Sequence, residues 1–123
     1  AKITVINGKA YGPAFMTFGG NASGADEVIA ITGSVISPID PEAAMNIVYN
    51  KRILDGEDKA TLLDEYIKNE ASAEKAAANG YISDIVSEDE LCAKLRISLD
   101  MLLSKHPLQF LNNHPYEEIR SKA

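Results

Sequence analysis

One stretch of the sequence, "KAYGPAF" at positions 9–15, has residue types and spacing that can do chemistry. A strand that turns into a helix through Gly12 can point backbone N–H groups at an anion or at a developing oxyanion. The same residues also fit an ordinary turn with Pro13 at the first helical position, and the local pattern by itself favours that turn. Proline lacks an N–H to donate. The residues alone therefore leave both interpretations open.

The side chains elsewhere in the sequence predict no catalytic triad and no metal site. His106 and His114 are the only imidazoles, and Cys92 is the only thiol, predicted to be half-buried in a helix without a role. The acidic runs fall where helices are expected to begin, and acids there complement the helix dipole. Such a protein either binds a ligand or catalyses through backbone amides and the chemistry of a cofactor.

Composition and charge exclude several classes of protein. The formal charge of −6 and pI near 4.8 argue against a nucleic-acid partner, which needs clustered Lys and Arg. No apolar run approaches the roughly 20 residues of a membrane span, so we expect a cytoplasmic protein. A length of 123 residues predicts one globular unit or a piece of one. Because a strand-like run begins almost at Ala1, we expect the chain to start inside a domain.

The apolar runs predict a mixed α/β chain with its strands in layered sheets. We expect a strand over 3–6, a possible turn at Asn7 and Gly8, and a second segment ending at Tyr11. A short helix is predicted between Pro13 and Gly20. Further strands are predicted over 27–31, 34–37 and 81–86.

The remaining pattern predicts helices with one apolar side each. Asp40 and Pro41 fit the start of a helix, and a later helix is expected to end at Gly80. Ser87 and Glu90 have the spacing of a capping box. The predicted inward-facing residues are Ala44, Ile47, Val48 and Ile53, then Leu62, Leu63, Tyr66 and Ile67, and finally Leu91, Leu95, Leu99 and Leu102. We expect the last helix to end before Pro107, and the apolar Leu108, Phe110 and Leu111 to need a covering surface.

The order of these segments resembles a known family. "KITVINGKAYGPAF", "GADEVIA", "PEAAMNIVYNKRIL" and "AAANGYISDIV" occur as in the C-terminal crotonase-like domain of biotin-dependent carboxyltransferases. These include acyl-CoA carboxylase β subunits and the α subunits of methylmalonyl-CoA and glutaconyl-CoA decarboxylases. The resemblance runs from about Lys2 to about Leu103. It implies a ClpP/crotonase-like α/β fold, with a partial C-terminal domain over 1–104 and a tail over 105–123.

The resemblance also implies an activity and a site. Such enzymes move a carboxyl group between N1 of biotin and the α-carbon of an acyl-CoA, with backbone oxyanion holes. Gly12, Pro13 and Ala14 match the hole on the biotin side, and the resemblance implies cofactor contacts for Tyr11, Phe15 and Asn46. Pro13 departs from the family, because it replaces an amide donor. Losing one of two donors lowers the rate by a factor on the order of 10² to 10³, unless the hole is rearranged.

Partners follow from the same resemblance. Biotin would arrive on a separate carrier domain or protein, and acyl-CoA would bind largely to an N-terminal carboxyltransferase domain of the same or another subunit. We expect a homo-oligomer, membrane association only through partner subunits, and little activity from this chain alone. One alternative is a non-catalytic fragment or divergent paralogue with an assembly role. A stand-alone hydrolase of crotonase type ranks lowest, because the chain lacks an evident acid and base.

Overall fold

The computed structural model describes the backbone of residues 1–109 and the side chains of residues 1–104 apart from position 18. Within this part, five strands form two parallel sheets. The large sheet has the order β1-β3-β5, and the small sheet pairs β2 with β4. The strands are β1 (Ile3–Ile6), β2 (Lys9–Tyr11), β3 (Glu27–Ile31), β4 (Val35–Ser37) and β5 (Asp84–Val86). The predicted layered sheets are confirmed, but the last strand is shorter than the predicted 81–86.

The helices surround these sheets. The first, α1 (Gly12–Ala14), continues directly into a π-helical turn, Phe15–Gly19. A 3-10 turn, Asn21–Ser23, leads on to β3. The others are α2 (Pro41–Val48), α3 (Asn50–Leu54), α4 (Lys59–Glu70), α5 (Ala73–Ala78) and α6 (Glu88–Gln109).

The core lies on both faces of the central strand β3. Val28, Ile29 and Ala30 are completely buried, as expected for a parallel strand covered on each side. One face packs into a cluster that joins the two sheets to α5 and the π turn. Its members are Ile6, Phe15, Val28, Ala30, Ile36, Ala73, Ala76 and Ile82.

Hydrogen bonds fix the small sheet against the large one. The Val35 N–H donates to the Gly8 carbonyl at 2.8 Å, at the point where the chain leaves one sheet for the other. The buried Ser34 hydroxyl donates to the Ile6 carbonyl at 3.1 Å and accepts from the Gly8 N–H at 3.3 Å. Ser34 therefore satisfies polar groups where β1 gives way to β2, and β2 is held in a defined position.

Three ion-paired side chains attach α6 to the large sheet. Lys94 Nζ lies 3.1 Å from a Glu27 carboxylate oxygen and 2.8 Å from an Asp84 carboxylate oxygen, at the starts of β3 and β5. At the start of the helix, the Glu90 carboxylate accepts from the Ser87 N–H at 3.4 Å and from its hydroxyl at 2.9 Å. The Ser–Glu pair predicted for this helix start is therefore formed.

Some predicted inward faces are wrong. Ile47 and Val48 are 74% and 61% exposed, because α2 buries Pro41, Ala44 and Met45 instead. Leu99 is 45% exposed, because Lys94 and the buried Ser98 face the sheet.

Two helix boundaries also differ from those predicted. The predicted continuous helix after Asp40 is interrupted at Tyr49, which has φ −103° and ψ 21°. The backbone of α6 passes through Pro107, so the predicted end before this proline is wrong. The proline removes one backbone donor from the helix, and the described backbone stays helical from Pro107 to Gln109.

Candidate binding site at the edge of the small sheet

The two strands of the small sheet end at the same edge, and each leads into a helix. The pairing of Tyr11 with Ser37 aligns the last residues of β2 and β4. Gly12 opens α1 immediately after β2, and Asp40 caps α2 three residues after β4. Ligands of open α/β sheets bind outside the carboxyl ends of parallel strands. A ligand site is therefore expected at this edge of the small sheet.

Gly12 makes the sharp change from strand to helix. Tyr11 is extended, with φ −121° and ψ 149°, whereas Gly12 has φ +61° in the left-handed region. A Cβ added at Gly12 would lie 3.8 Å from the Pro38 carbonyl oxygen, an ordinary contact. The backbone conformation, rather than lack of space, is what requires glycine here.

The first turn of α1 leaves few N–H groups for a ligand. Pro13 has none, and the Phe15 N–H donates to the Gly12 carbonyl. The Ala14 N–H belongs to the first turn, where N–H groups have no acceptor within the helix, and no side chain caps this end. Since Ala14 is exposed, its N–H is the candidate donor of this turn.

A cavity of 410 Å³ opens beside this turn, and three of the predicted site residues line it: Tyr11, Ala14 and Phe15. Its volume falls in the range of small-molecule sites, roughly 300 to 1,000 Å³. The other lining residues are Thr4, Val5, Ile6, Asn7, Lys9, Ala10 and Gly19. The wall is therefore mostly apolar, with a few polar groups to orient a ligand.

Asn46 is not brought into this cavity. It is exposed in the second half of α2 and is absent from the cavity wall. Its contact with a cofactor stays a prediction.

Lys9 and Asp40 are neighbours of the site that the sequence pattern did not predict. Lys9 and Tyr11 line the 410 Å³ cavity and also a second one of 160 Å³, whose wall includes Asp40 and Pro41. Burial and the nearby Asp40 charge raise the pKa of the Tyr11 hydroxyl, which remains a hydrogen-bond donor at neutral pH. The spacing of Lys9 and Tyr11 on one strand could have indicated that they share a face.

In the part of the chain that the structure describes, no group of three or more His, Cys, Asp and Glu side chains is gathered as a metal site requires. Cys92 is exposed on α6 rather than half-buried as predicted. None of the helices in this part of the chain is long and apolar enough to cross a membrane.

Comparisons of the sequence identify similar proteins. Residues 1–115 match the family described as "Carboxyl transferase domain". The chain is 37% identical over 108 residues to a putative propionyl-CoA carboxylase beta chain of Bacillus subtilis (strain 168), and the match covers 85% of this chain and 21% of that protein. It is 32% identical over 108 residues to methylmalonyl-CoA decarboxylase subunit alpha of Propionigenium modestum, with the same two coverages.

A solved structure is also similar. It is the transcarboxylase 12S subunit, described as a hexamer with methylmalonyl-coenzyme A and methylmalonic acid bound, and the TM-score is 0.73 at 29% identity. The match covers 84% of this chain and 21% of that one. The fold class predicted from the sequence is thereby confirmed. The chain spans about a fifth of the length of the relatives it matches.

Proposed function

Because this chain belongs to the carboxyl transferase domain family, we propose that it forms one side of a site that moves a carboxyl group between biotin and the α-carbon of an acyl-CoA. Its contribution is the biotin side, where the first turn of α1 donates to the ureido oxygen. The relatives and the transcarboxylase structure support this class of reaction, since their names refer to propionyl-CoA or methylmalonyl-CoA chemistry.

The observation that carries the proposal is Ala14 in the first turn of α1, which is exposed and lines the 410 Å³ cavity. Gly12 is buried and shapes the turn, and neither Gly12 nor Pro13 belongs to the described cavity wall. Biotin would supply the nitrogen that carries the carboxyl group and the oxygen on which negative charge develops. The residues present fit such a ring system. Ala14 offers a backbone N–H to the ureido oxygen, and the apolar walls suit the rest of the bicycle.

The partners of the site follow from the family. We infer that the acyl-CoA binds mainly to an N-terminal carboxyltransferase domain and that biotin arrives on a carrier protein. A homo-oligomer in the cytoplasm is the proposed setting, with any membrane association through partner subunits. The partial domain proposed for residues 1–104, followed by a tail, would then be inactive in carboxyl transfer without the N-terminal domain.

A second function, assembly without catalysis, is favoured by one observation. Pro13 occupies a position in the first turn where another residue would offer an N–H with no acceptor inside the helix, and the loss of such a donor would weaken an oxyanion hole built on this turn. Ile47 and Leu54 are 74% and 78% exposed, as expected of a surface that meets a partner. A complete subunit that binds acyl-CoA normally and exchanges no carboxyl group would favour assembly.

The test is carboxyl exchange between acyl-CoA and free biotin, measured with this chain joined to an N-terminal carboxyltransferase domain. Pro13→Ala restores an amide while keeping a helix-forming residue. We expect the exchange rate to rise by about tenfold or more, as oxyanion-hole donors commonly contribute at least that much.

Pro41→Ala is the matched control for this experiment. It also adds an amide at the start of a helix, but Pro41 begins α2, whereas Pro13 stands next to Ala14 in the turn beside the 410 Å³ cavity. Its exchange rate should equal that of the wild type. An unchanged rate in Pro13→Ala, with exchange detectable in the wild type, would remove the idea that the missing amide limits the reaction.

A further inference from the structure

We propose that Lys9 donates from its ammonium group to the ureido oxygen of biotin and so takes the place of the amide that Pro13 lacks. This inference rests on the proposed function and names a further residue of the same site. It starts from a mismatch at the site, where an open cavity of 410 Å³ lies beside a first turn with few backbone donors.

The position of Lys9 on β2 places it at the right wall. Lys9, Ala10 and Tyr11 all line the 410 Å³ cavity together with Ala14. Lys9 and Tyr11 share one face of the strand and also line the 160 Å³ cavity, so Lys9 lies between the two cavities. Lys9 precedes Gly12 by three residues, about 10 Å of strand. Strand side chains lean along the strand, and lysine has a flexible four-carbon stem. A ligand that lies between Lys9 and the turn at Gly12 can therefore be contacted by the Lys9 ammonium group at one end and by the turn at the other.

The ammonium group of Lys9 does not stabilise the fold through an ion pair with any described residue, whereas Lys75 and Lys94 are paired with carboxylates. Lys2 donates instead to the Ser23 hydroxyl and carbonyl. Of the described residues that line the cavity, Lys9 is also the only one with a cationic side chain. It is exposed, so its position is not explained by packing.

An ammonium group suits the role chemically. It carries three donors, and a hydrogen bond from a cation to a developing oxyanion is about twice as strong as one between neutral groups. Asn7 is the other side chain in the wall with N–H donors, but it lies on the far side of the Gly8 turn, in the connection between β1 and β2. Asn7 therefore serves as the competing explanation in the test.

The test is a double-mutant cycle between Lys9 and Pro13, read by binding. The 123-residue chain is titrated with biotin methyl amide, and backbone amide NMR shifts give the dissociation constant. The methyl amide masks the valerate carboxylate, so that Lys9 cannot attract the ligand through that charge. Lys9→Met should weaken binding about tenfold, the usual size for a charged hydrogen bond. In the Pro13→Ala background the same change should weaken binding less than about threefold, because an amide is again present.

Three results would count against the inference. Equal weakening by Lys9→Met in both backgrounds would show that Lys9 does not substitute for the amide. Loss of binding in Asn7→Ala with none in Lys9→Met would assign the donor to Asn7. No binding by the wild-type chain would overturn the proposed biotin side itself, whereas wild-type binding that Lys9→Met leaves unchanged overturns only this inference. Circular dichroism checks that each variant is folded.

Discussion

The large sheet and the carboxyl edge of the small sheet differ in what their residues contact: the residues of the first are buried or ion-paired, and those of the second face a cavity. In the large sheet, β3 is buried on both faces, and Lys94 joins α6 to the starts of β3 and β5 through two carboxylates. At the small sheet, Lys9 and Ala14 are exposed in the wall of a cavity, and the exposed Pro13 precedes Ala14. The large sheet stabilises the fold through packed side chains. The edge of the small sheet leaves backbone groups and a charged side chain accessible to a ligand. Substitutions should accordingly reduce stability in the large sheet and binding at the small one.

The largest expected effect is on the packing of the large sheet. Ile29→Ala removes a completely buried side chain, and we expect the free energy of unfolding to fall by about 2–5 kcal/mol. Urea unfolding followed by circular dichroism measures this loss. Ile39→Ala is the matched control, because Ile39 is 53% exposed and should cost under about 1 kcal/mol. Similar losses in both variants would contradict the contrast between the regions.

The next largest effect concerns the backbone conformation at Gly12, on which biotin binding at the small sheet should depend. Gly12→Ala forces a side chain into the left-handed region and should cost about 1–2 kcal/mol in stability. Gly33→Ala should cost a similar amount, since Gly33 has φ +85° with no atom within 4 Å of the added Cβ. Biotin binding should weaken only in Gly12→Ala, because Gly12 fixes the turn that presents Ala14 to the cavity, whereas Gly33 belongs neither to that turn nor to the cavity wall. Equal weakening in the two variants would show that strain alone explains the loss.

The smallest effect is electrostatic and appears in acid. The hydrogen bond from Lys94, followed by that from the Ile85 N–H, holds the pKa of Asp84 below its ordinary value of 3.8. A carboxylate with a lowered pKa stabilises the folded state above pH 3.8, and this contribution is lost as the pH falls through the folded value. Because Asp84 is 44% exposed, the contribution should stay below about 1 kcal/mol.

Lys94→Met should remove most of this acid sensitivity. Unfolding free energies measured from pH 6 down to pH 2.5 should fall less steeply in Lys94→Met than in the wild type. Lys75→Met is the comparison, since Lys75 pairs with Glu70 at 3.7 Å on the surface and leaves Asp84 untouched. Parallel curves for the wild type and Lys94→Met would show that the pair contributes nothing to the acid dependence.

Local patterns in the sequence predicted much of the fold. Asp40 caps α2 by accepting from the Ala43 N–H at 3.1 Å, as its place before Pro41 indicated. Gly80 has φ +77° after α5, as a helix C-terminus prefers. The buried run from Val28 to Ile31 forms the central strand. Each of these features is determined by residues that are close together in the sequence.

The features that sequence patterns did not predict depend on contacts between distant segments. The approach of Pro38 to Gly12 and the second cavity at Lys9 both require β2 to pair with β4, which lies more than twenty residues further on. The exposed side of α2 and the orientation of α6 depend on what the neighbouring elements leave uncovered. The stretch around Gly12 was identified from the sequence, but its cavity and its cationic neighbour were not.

The π turn after α1 has a consequence for how such chains can differ in length. The Gly20 N–H donates to the Phe15 carbonyl at 2.8 Å, five residues back, so this turn holds one residue more than an α-helical turn would. Deletion of one residue here can be absorbed by exchanging the π turn for an α turn. Gly12 and Ala14 would keep their place after β2, and the residues after Gly20 would keep their place in the fold. Chains that differ by one residue in this turn can therefore share the same site.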